Sequence, residues 1–258
     1  MNSLRRIAAI AHNTLREAIR SRVLYALLFF AVALIGTGAL LSTLSYVERE
    51  RILQDVGLGA IRLFGVLLAI FVGIGLVHRE VDRRTIFTIL AKPISRSEFL
   101  VGKYFGLVLT LWLQIGIMAL VFVAVSLGAG APLGVAHAAA MLMIGIEVAV
   151  VVAVALLFSS FSTPMLAAFF TGSVWLIGHL TRDLRALGAS SDSVGTRWAT
   201  EWIYRTLPDL EAFDLTLHAS HQLPLVASDV WLPIGYGIGY VTLLLVAATL
   251  FFQRRDFR

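Results

Sequence analysis

Charged residues fall in a few short clusters along the sequence, and the apolar stretches between them are long enough to cross a bilayer as helices. Such a helix needs about 20 mostly apolar residues. The first run, residues 23–47, exceeds the apolar part of a signal peptide and precedes no convincing small-x-small cleavage site, so it reads as a retained span. The second, residues 63–77, is shorter; if Arg62 snorkels to the headgroups, residues 56–61 extend it to a workable length. Residues 104–146 carry no formal charge, enough for two spans divided by the glycine-rich turn GAGAPLG at 128–134. The fourth span continues past Glu147 to about Phe158, SSFSTP (159–164) breaks the chain, and a fifth runs from about Met165 to Leu180. A sixth covers residues 231–253, with Trp231, Tyr236 and Tyr240 placed as an interfacial belt.

The segments outside these runs are patterned too. Leu4, Ile7, Ala8, Ala11, Leu15, Ala18 and Ile19 recur at steps of three and four, with Arg5, Arg6, His12, Asn13, Arg16 and Arg20 on the other face. Residues 1–22 therefore predict a basic amphipathic helix on the inner leaflet, a place compatible with touching a cytosolic partner. In the loop 78–104, mixed charge (Arg79, Glu80, Asp82, Arg83, Arg84) precedes a short apolar run, 85–91, that Pro93 ends. Ser95 stands three residues before Glu98, a capping box that starts the third long helix near Arg96. Ile86, Phe87, Ile89 and Leu90 would be an odd apolar set on a solvated loop and suit cover by another protein or the membrane. Residues 181–229 hold seven acids, four arginines, and Trp198, Trp202, Tyr204 and Phe213. That aromatic content predicts an ordered extracytoplasmic cap whose helices can dip into the outer leaflet.

Composition agrees with the pattern. The chain of 258 residues is 59% hydrophobic and 14% charged, with mean hydropathy +0.86; a soluble domain carries about 25% charged residues. The fold class expected is an all-α, polytopic membrane protein, one domain over 1–258 with six transmembrane helices. The absence of cysteine excludes disulfides, thiolate metal sites and cysteine nucleophiles. The net charge of +5 follows from topology: with both termini inside, 14 of the 21 basic residues lie on the inner side, as the positive-inside rule requires. Nucleic-acid binding needs no separate hypothesis.

Catalytic motifs are missing. No GxxxxGK[ST] cradle for phosphates occurs, the nearest text being SEFLVGKY (97–104), and no histidine spacing suits a metal. Ser173 and His179 are separated by about 240° around one helix and cannot pair within it. Glu147 is the formal charge deep in a span, a functional candidate by default. A hydrogen bond to a neighbouring helix, such as through Thr171 or Ser173, is its structural alternative. Without an intramembrane lysine or arginine partner it gives thin support to an ion-coupled carrier.

Residues 79–106, REVDRRTIFTILAKPISRSEFLVGKYFG, resemble the segment between the second and third spans in permease subunits of ATP-binding-cassette (ABC) transporters, type-two exporter class. There a T-[LI]-x-x-L-L-[AS]-x-P-[IV]-[ST]-R core follows mixed charge, and a GK pair lies near the start of the third span. Here the core runs from Thr85 to Arg96, with Gly102-Lys103 after it. LPDLEAFDL (207–215) looks like the LPNLE-x-F-N text of several members. The resemblance implies that loop 78–104 is a coupling helix seated on a cytosolic ATPase, with Glu80, Asp82, Arg83, Arg84, Ile86, Phe87, Leu90 and Pro93 at the contact. It implies two ATPases and a second permease, identical or related, in a bacterial inner membrane, with both termini cytoplasmic. ATP and Mg would bind the partner, leaving this chain without cofactor or catalytic residue. The cargo stays open, with a lipophilic or amphiphilic molecule easier to accommodate between apolar spans than a bare ion. A stand-alone carrier using Glu147 and a membrane-embedded enzyme remain the rival readings.

Overall fold

The computed structural model describes residues 3–45, 48–82 and 95–254, and every regular element among them is helical. The order is α1 (Ser3–Ile19), α2 (Arg22–Ser42), α3 (Arg49–Asp82), α4 (Arg96–Gly128), α5 (Val135–Phe161), α6 (Pro164–Gly178), α7 (Thr181–Ser190), α8 (Val194–Thr206), a 3-10 turn (Glu211–Phe213), α9 (Thr216–Ser220) and α10 (Ala227–Arg254). Among the described residues five helices, α2, α3, α4, α5 and α10, are long and apolar enough to cross a membrane. A sixth crossing exists only if α6 and α7, bent by 59° at their junction, count as one.

Helix ends fall where local chemistry puts them. Ser95 and Glu98 form the expected capping box: the Glu98 N–H donates to Ser95 Oγ at 3.2 Å and the Ser95 N–H donates to Glu98 Oε2 at 3.0 Å. Between α4 and α5 the chain reverses through Gly130, whose φ of 74° is left-handed and suits glycine. Pro164 opens α6 at its first turn, where a missing N–H costs nothing. The second span is longer than expected: α3 is one continuous helix of 34 residues.

Burial sorts the long helices. In α3 and α5, 67% of the span is buried inside the bundle, against 17–33% for α2, α4 and α10. The first two are therefore central, while the others turn an apolar face outward, with Phe29, Phe30, Leu120, Leu243 and Val246 exposed. α3 packs on α2 and α5, and α10 lies along α5. One end of the bundle gathers residues 179–226 and is called here the cap end; the other holds α1.

α1 lies alongside the start of α4, and two absent side chains allow it. A Cβ at Gly102 would stand 2.8 Å from Ile10 Cβ, and one at Gly106 would stand 2.7 Å from the Ala11 carbonyl oxygen. Neither distance is sustainable, so both positions need glycine for this approach. Between them Lys103, 2% exposed, reaches Glu17 of α1 at 3.7 Å and lies 5.9 Å from the Phe99 ring centroid. Arg6 meets Glu98 at 3.5 Å. The GK pair thus brings α1 and α4 into contact.

Candidate functional site

Two helices and a turn converge on the middle of α5. Glu147, fully buried, sits near the midpoint of that helix. α6 runs up beside it and delivers Trp175 and His179, four residues apart and so on one face. The Trp175 indole N–H donates to Glu147 Oε1 at 2.9 Å, and His179 Nε2 lies 3.4 Å from the same oxygen. His179 Nδ1 is 3.0 Å from the Trp175 carbonyl oxygen, which fixes the imidazole against its own helix.

From the other side comes Arg62 of α3, with its Nε 3.0 Å from Glu147 Oε2 and its side chain 13% exposed. Its Nη1 also donates to Asp214 Oδ2. Asp214 in turn accepts the Thr216 N–H at 2.8 Å on Oδ1. Burial by itself would raise the Asp214 carboxyl, but hydrogen bonding and charge from Arg62, with the Thr216 N–H, outweigh it and hold the group at about 2. The chain Asp214–Arg62–Glu147–Trp175/His179 links α3, α5, α6 and the segment after α8.

That last segment reaches the cluster because it folds inward. The Leu210 N–H donates to the Gly178 carbonyl oxygen at 3.0 Å, and Leu210, Phe213, Leu215 and Ala219 are all buried. A Cβ on Gly178 would come within 2.9 Å of both Leu210 and the Pro208 carbonyl oxygen, so the chain crosses closely over the end of α6. The Asp209 N–H donates to Tyr236 Oη and Tyr240 Oη donates to the Thr206 carbonyl oxygen, each at 2.9 Å, which ties the segment to α10. LPDLEAFDL is a plug, with apolar side chains in the bundle and Asp214 aimed at Arg62.

Two expectations are overturned. Arg62 does not snorkel to the headgroups; it turns inward, because two carboxylates meet it there and α3 continues to Arg49 beyond it. Glu147 therefore has the intramembrane cation that the sequence seemed to lack. The hydrogen bond expected from a neighbouring helix is present but comes from Trp175, not Thr171, whose hydroxyl donates to the Ala167 carbonyl oxygen of its own helix at 2.6 Å. A buried carboxylate paired with an arginine and bonded by an indole fastens helices together; losing one partner of such a pair costs about 3–5 kcal/mol. Among the described residues no group of three or more acidic, histidine or cysteine side chains could hold a metal ion.

The residues assigned to an ATPase contact are placed only at their edge. The backbones of Glu80 and Asp82 complete α3, while Arg83, Arg84, Ile86, Phe87, Leu90 and Pro93 lie outside the described residues. Sequence reasoning missed Arg62, Asp214, Trp175 and His179 as a set. Signals for it existed: the four-residue spacing of Trp175 and His179, and apolar residues at steps of two and three (Leu207, Leu210, Phe213, Leu215) among the acids of LPDLEAFDL.

Compared with known proteins, the chain matches the family model described as ABC-2 family transporter protein over residues 8–257. No curated protein matches it.

Proposed function

This chain belongs to the ABC-2 family of transporter proteins, which makes it a multi-pass transmembrane subunit of an ABC transporter, and from that premise we propose that it couples ATP hydrolysis on a partner to export. In this reading the α1 end faces the cytosol of a bacterial inner membrane, with both termini inside. Residues 78–104 dock on a cytosolic ATPase through Glu80, Asp82, Arg83, Arg84, Ile86, Phe87, Leu90 and Pro93. ATP and Mg bind there and not on this chain. Two permeases, identical or related, flank the path of a lipophilic or amphiphilic cargo.

The observation that carries the reading is the family match over almost the whole chain. The charge distribution supports the orientation: Arg5, Arg6, Arg16, Arg20 and Arg22 precede or open α2, and Arg79, Arg83, Arg84, Lys92, Arg96 and Lys103 stand at the α3–α4 connection. Against the carrier reading stands the state of Glu147. A carboxylate bound to Arg62 and Trp175 is engaged in holding three helices, and is a poor ion-coupling group while those bonds last.

Coexpression with a cytosolic ABC ATPase from the same source tests the proposal. The two proteins should copurify, and Arg83→Glu/Arg84→Glu or Phe87→Ala should abolish copurification and ATP-driven transport while leaving the permease folded. Full transport by the purified chain in ATP-free vesicles would reject it.

A further inference from the structure

Two cavities adjoin at the cap end, where the start of α3 and the α4–α5 turn meet the loop after α9. One is polar, about 600 Å³, with Glu48, Arg49, Glu50, Arg51 and Gln54 in its wall. The other, about 400 Å³, is mostly apolar, with Leu133, Val135, Leu223 and Leu225 around His137. Gln222 lines both. Gln54, 1% exposed, donates to the Pro132 carbonyl oxygen at 2.9 Å and so ties the wall of the first cavity to that of the second. Each volume suits a small-molecule site, which takes about 300–1,000 Å³. Together they make a cleft that is polar at one end and apolar at the other.

The apolar half contains a polar group that the fold leaves unused. His137 is 2% exposed. Its Nδ1 accepts the Gly134 N–H at 3.1 Å, so in the neutral ring the hydrogen is on Nε2. That Nε2 is buried and has no hydrogen-bond partner among the described residues. A buried donor without an acceptor is costly and calls for a reason. Its depth suggests one. α5, of 27 residues, is about 40 Å long and overshoots a hydrocarbon core of about 30 Å by about 5 Å at each end. His137, third in that helix, therefore stands at the edge of the hydrocarbon, the level of the ester carbonyls of a lipid.

The polar half offers both signs of charge. Arg51 Nη1 donates to the two Glu48 oxygens at 3.0 and 2.9 Å. Arg49 and Glu50 are exposed and form no ion pair among the described residues. One free cation and one free anion in a single cavity match a phosphate and an ammonium carried by the same headgroup.

We propose that this cleft holds a zwitterionic glycerophospholipid. Arg49 meets its phosphate, Glu50 its ammonium, His137 Nε2 donates to an ester carbonyl, and the chain starts along Leu133, Val135 and Leu225. The inference needs the membrane but neither the ATPase nor export, so it stands or falls apart from that reading.

The test uses the full chain in detergent with defined lipids. Native mass spectrometry should show phosphatidylethanolamine retained several-fold more than phosphatidylglycerol of the same chains. Glycerophosphoethanolamine, a headgroup without acyl chains, should not be retained. Arg49→Gln/Glu50→Gln should cut retention several-fold at an unchanged unfolding temperature, since both side chains are exposed. His137→Leu should cut it too. Because the chain lacks cysteine, a benzophenone on Gln222→Cys is a unique probe and should cross-link to phosphatidylethanolamine in nanodiscs. Equal retention of phosphatidylglycerol would overturn the zwitterionic class, and full retention by the Arg49/Glu50 variant would overturn the site. Unchanged retention by His137→Leu would remove the ester contact. Cross-linking to a second copy in place of lipid would overturn the proposal and assign the cleft to an interface between chains.

Discussion

Arg62 and Lys103 are both cations sunk into the bundle, at opposite ends, and what differs is the anion each would leave behind. Arg62 holds Glu147, which has no exposure at all, and Asp214, about a third exposed. Lys103 reaches Glu17, also about a third exposed, on the edge of α1. Water can take over from Lys103; it cannot take over at Glu147. The cap end is thus closed by charge that must stay paired, and the α1 end by close packing over Gly102 and Gly106, with charge as an accessory. A buried ion is not in itself a strong fastening; it becomes one when its partner has no route to solvent.

The largest effect should follow from Arg62→Met. It strands Glu147 and should cost about 3–5 kcal/mol, read as a lowered unfolding temperature in detergent. Arg62→Met/Glu147→Leu, which removes both charges, should recover most of that loss. Equal damage in the single and double variants would show that the pair does not act as a unit. Next comes Gly106→Leu, which pushes a side chain into the Ala11 backbone; overpacking of this kind costs about 1–3 kcal/mol. Because the damage is confined to the seam, limited proteolysis should release α1 while the rest of the bundle stays protected.

Lys103→Met should cost about 1 kcal/mol or less, since Glu17 can turn to water and a methionine fills the space. A loss as large as that of Arg62→Met would erase the contrast between the two ends. A further effect is a pH dependence at the cap. Asp214 titrates at about 2 in the folded chain, below its ordinary 3.8. Its depressed value stabilises the fold above about pH 4, and that contribution fades as pH falls towards 2. The wild-type unfolding temperature should drop across that window more than that of Asp214→Asn, and parallel curves would remove Asp214 from the clasp.

What the sequence made legible was local. The Ser95–Glu98 capping box, the break at SSFSTP and the turn around Gly130 each depend on residues within a few positions of one another. The Arg62–Asp214 bond joins residues 152 positions apart, and no local rule reaches that far. Arg62 was also misread for a physical reason: a cation beside a short apolar run snorkels when lipid surrounds it, but lipid was not its neighbour. The GK pair was recognisable as text, yet its purpose depends on Ile10 and Ala11 pressing against glycine, which only the packed helices reveal. In the sequence Asp214 is one acid among seven in the cap segment, and its role emerges only with the burial of the plug's leucines and phenylalanine.

The length of α3 has a mechanical consequence. It is a single rod without proline, running from Arg49 through Arg62 to Asp82. Asp82 stands about 30 Å along the axis from Arg62. Pivoting on the buried clasp, a tilt of about 5° would swing that far tip by roughly 3 Å. A torque applied beyond Asp82 would thereby reach the Arg62–Glu147 clasp, and a displacement of that tip would act as leverage on the plug.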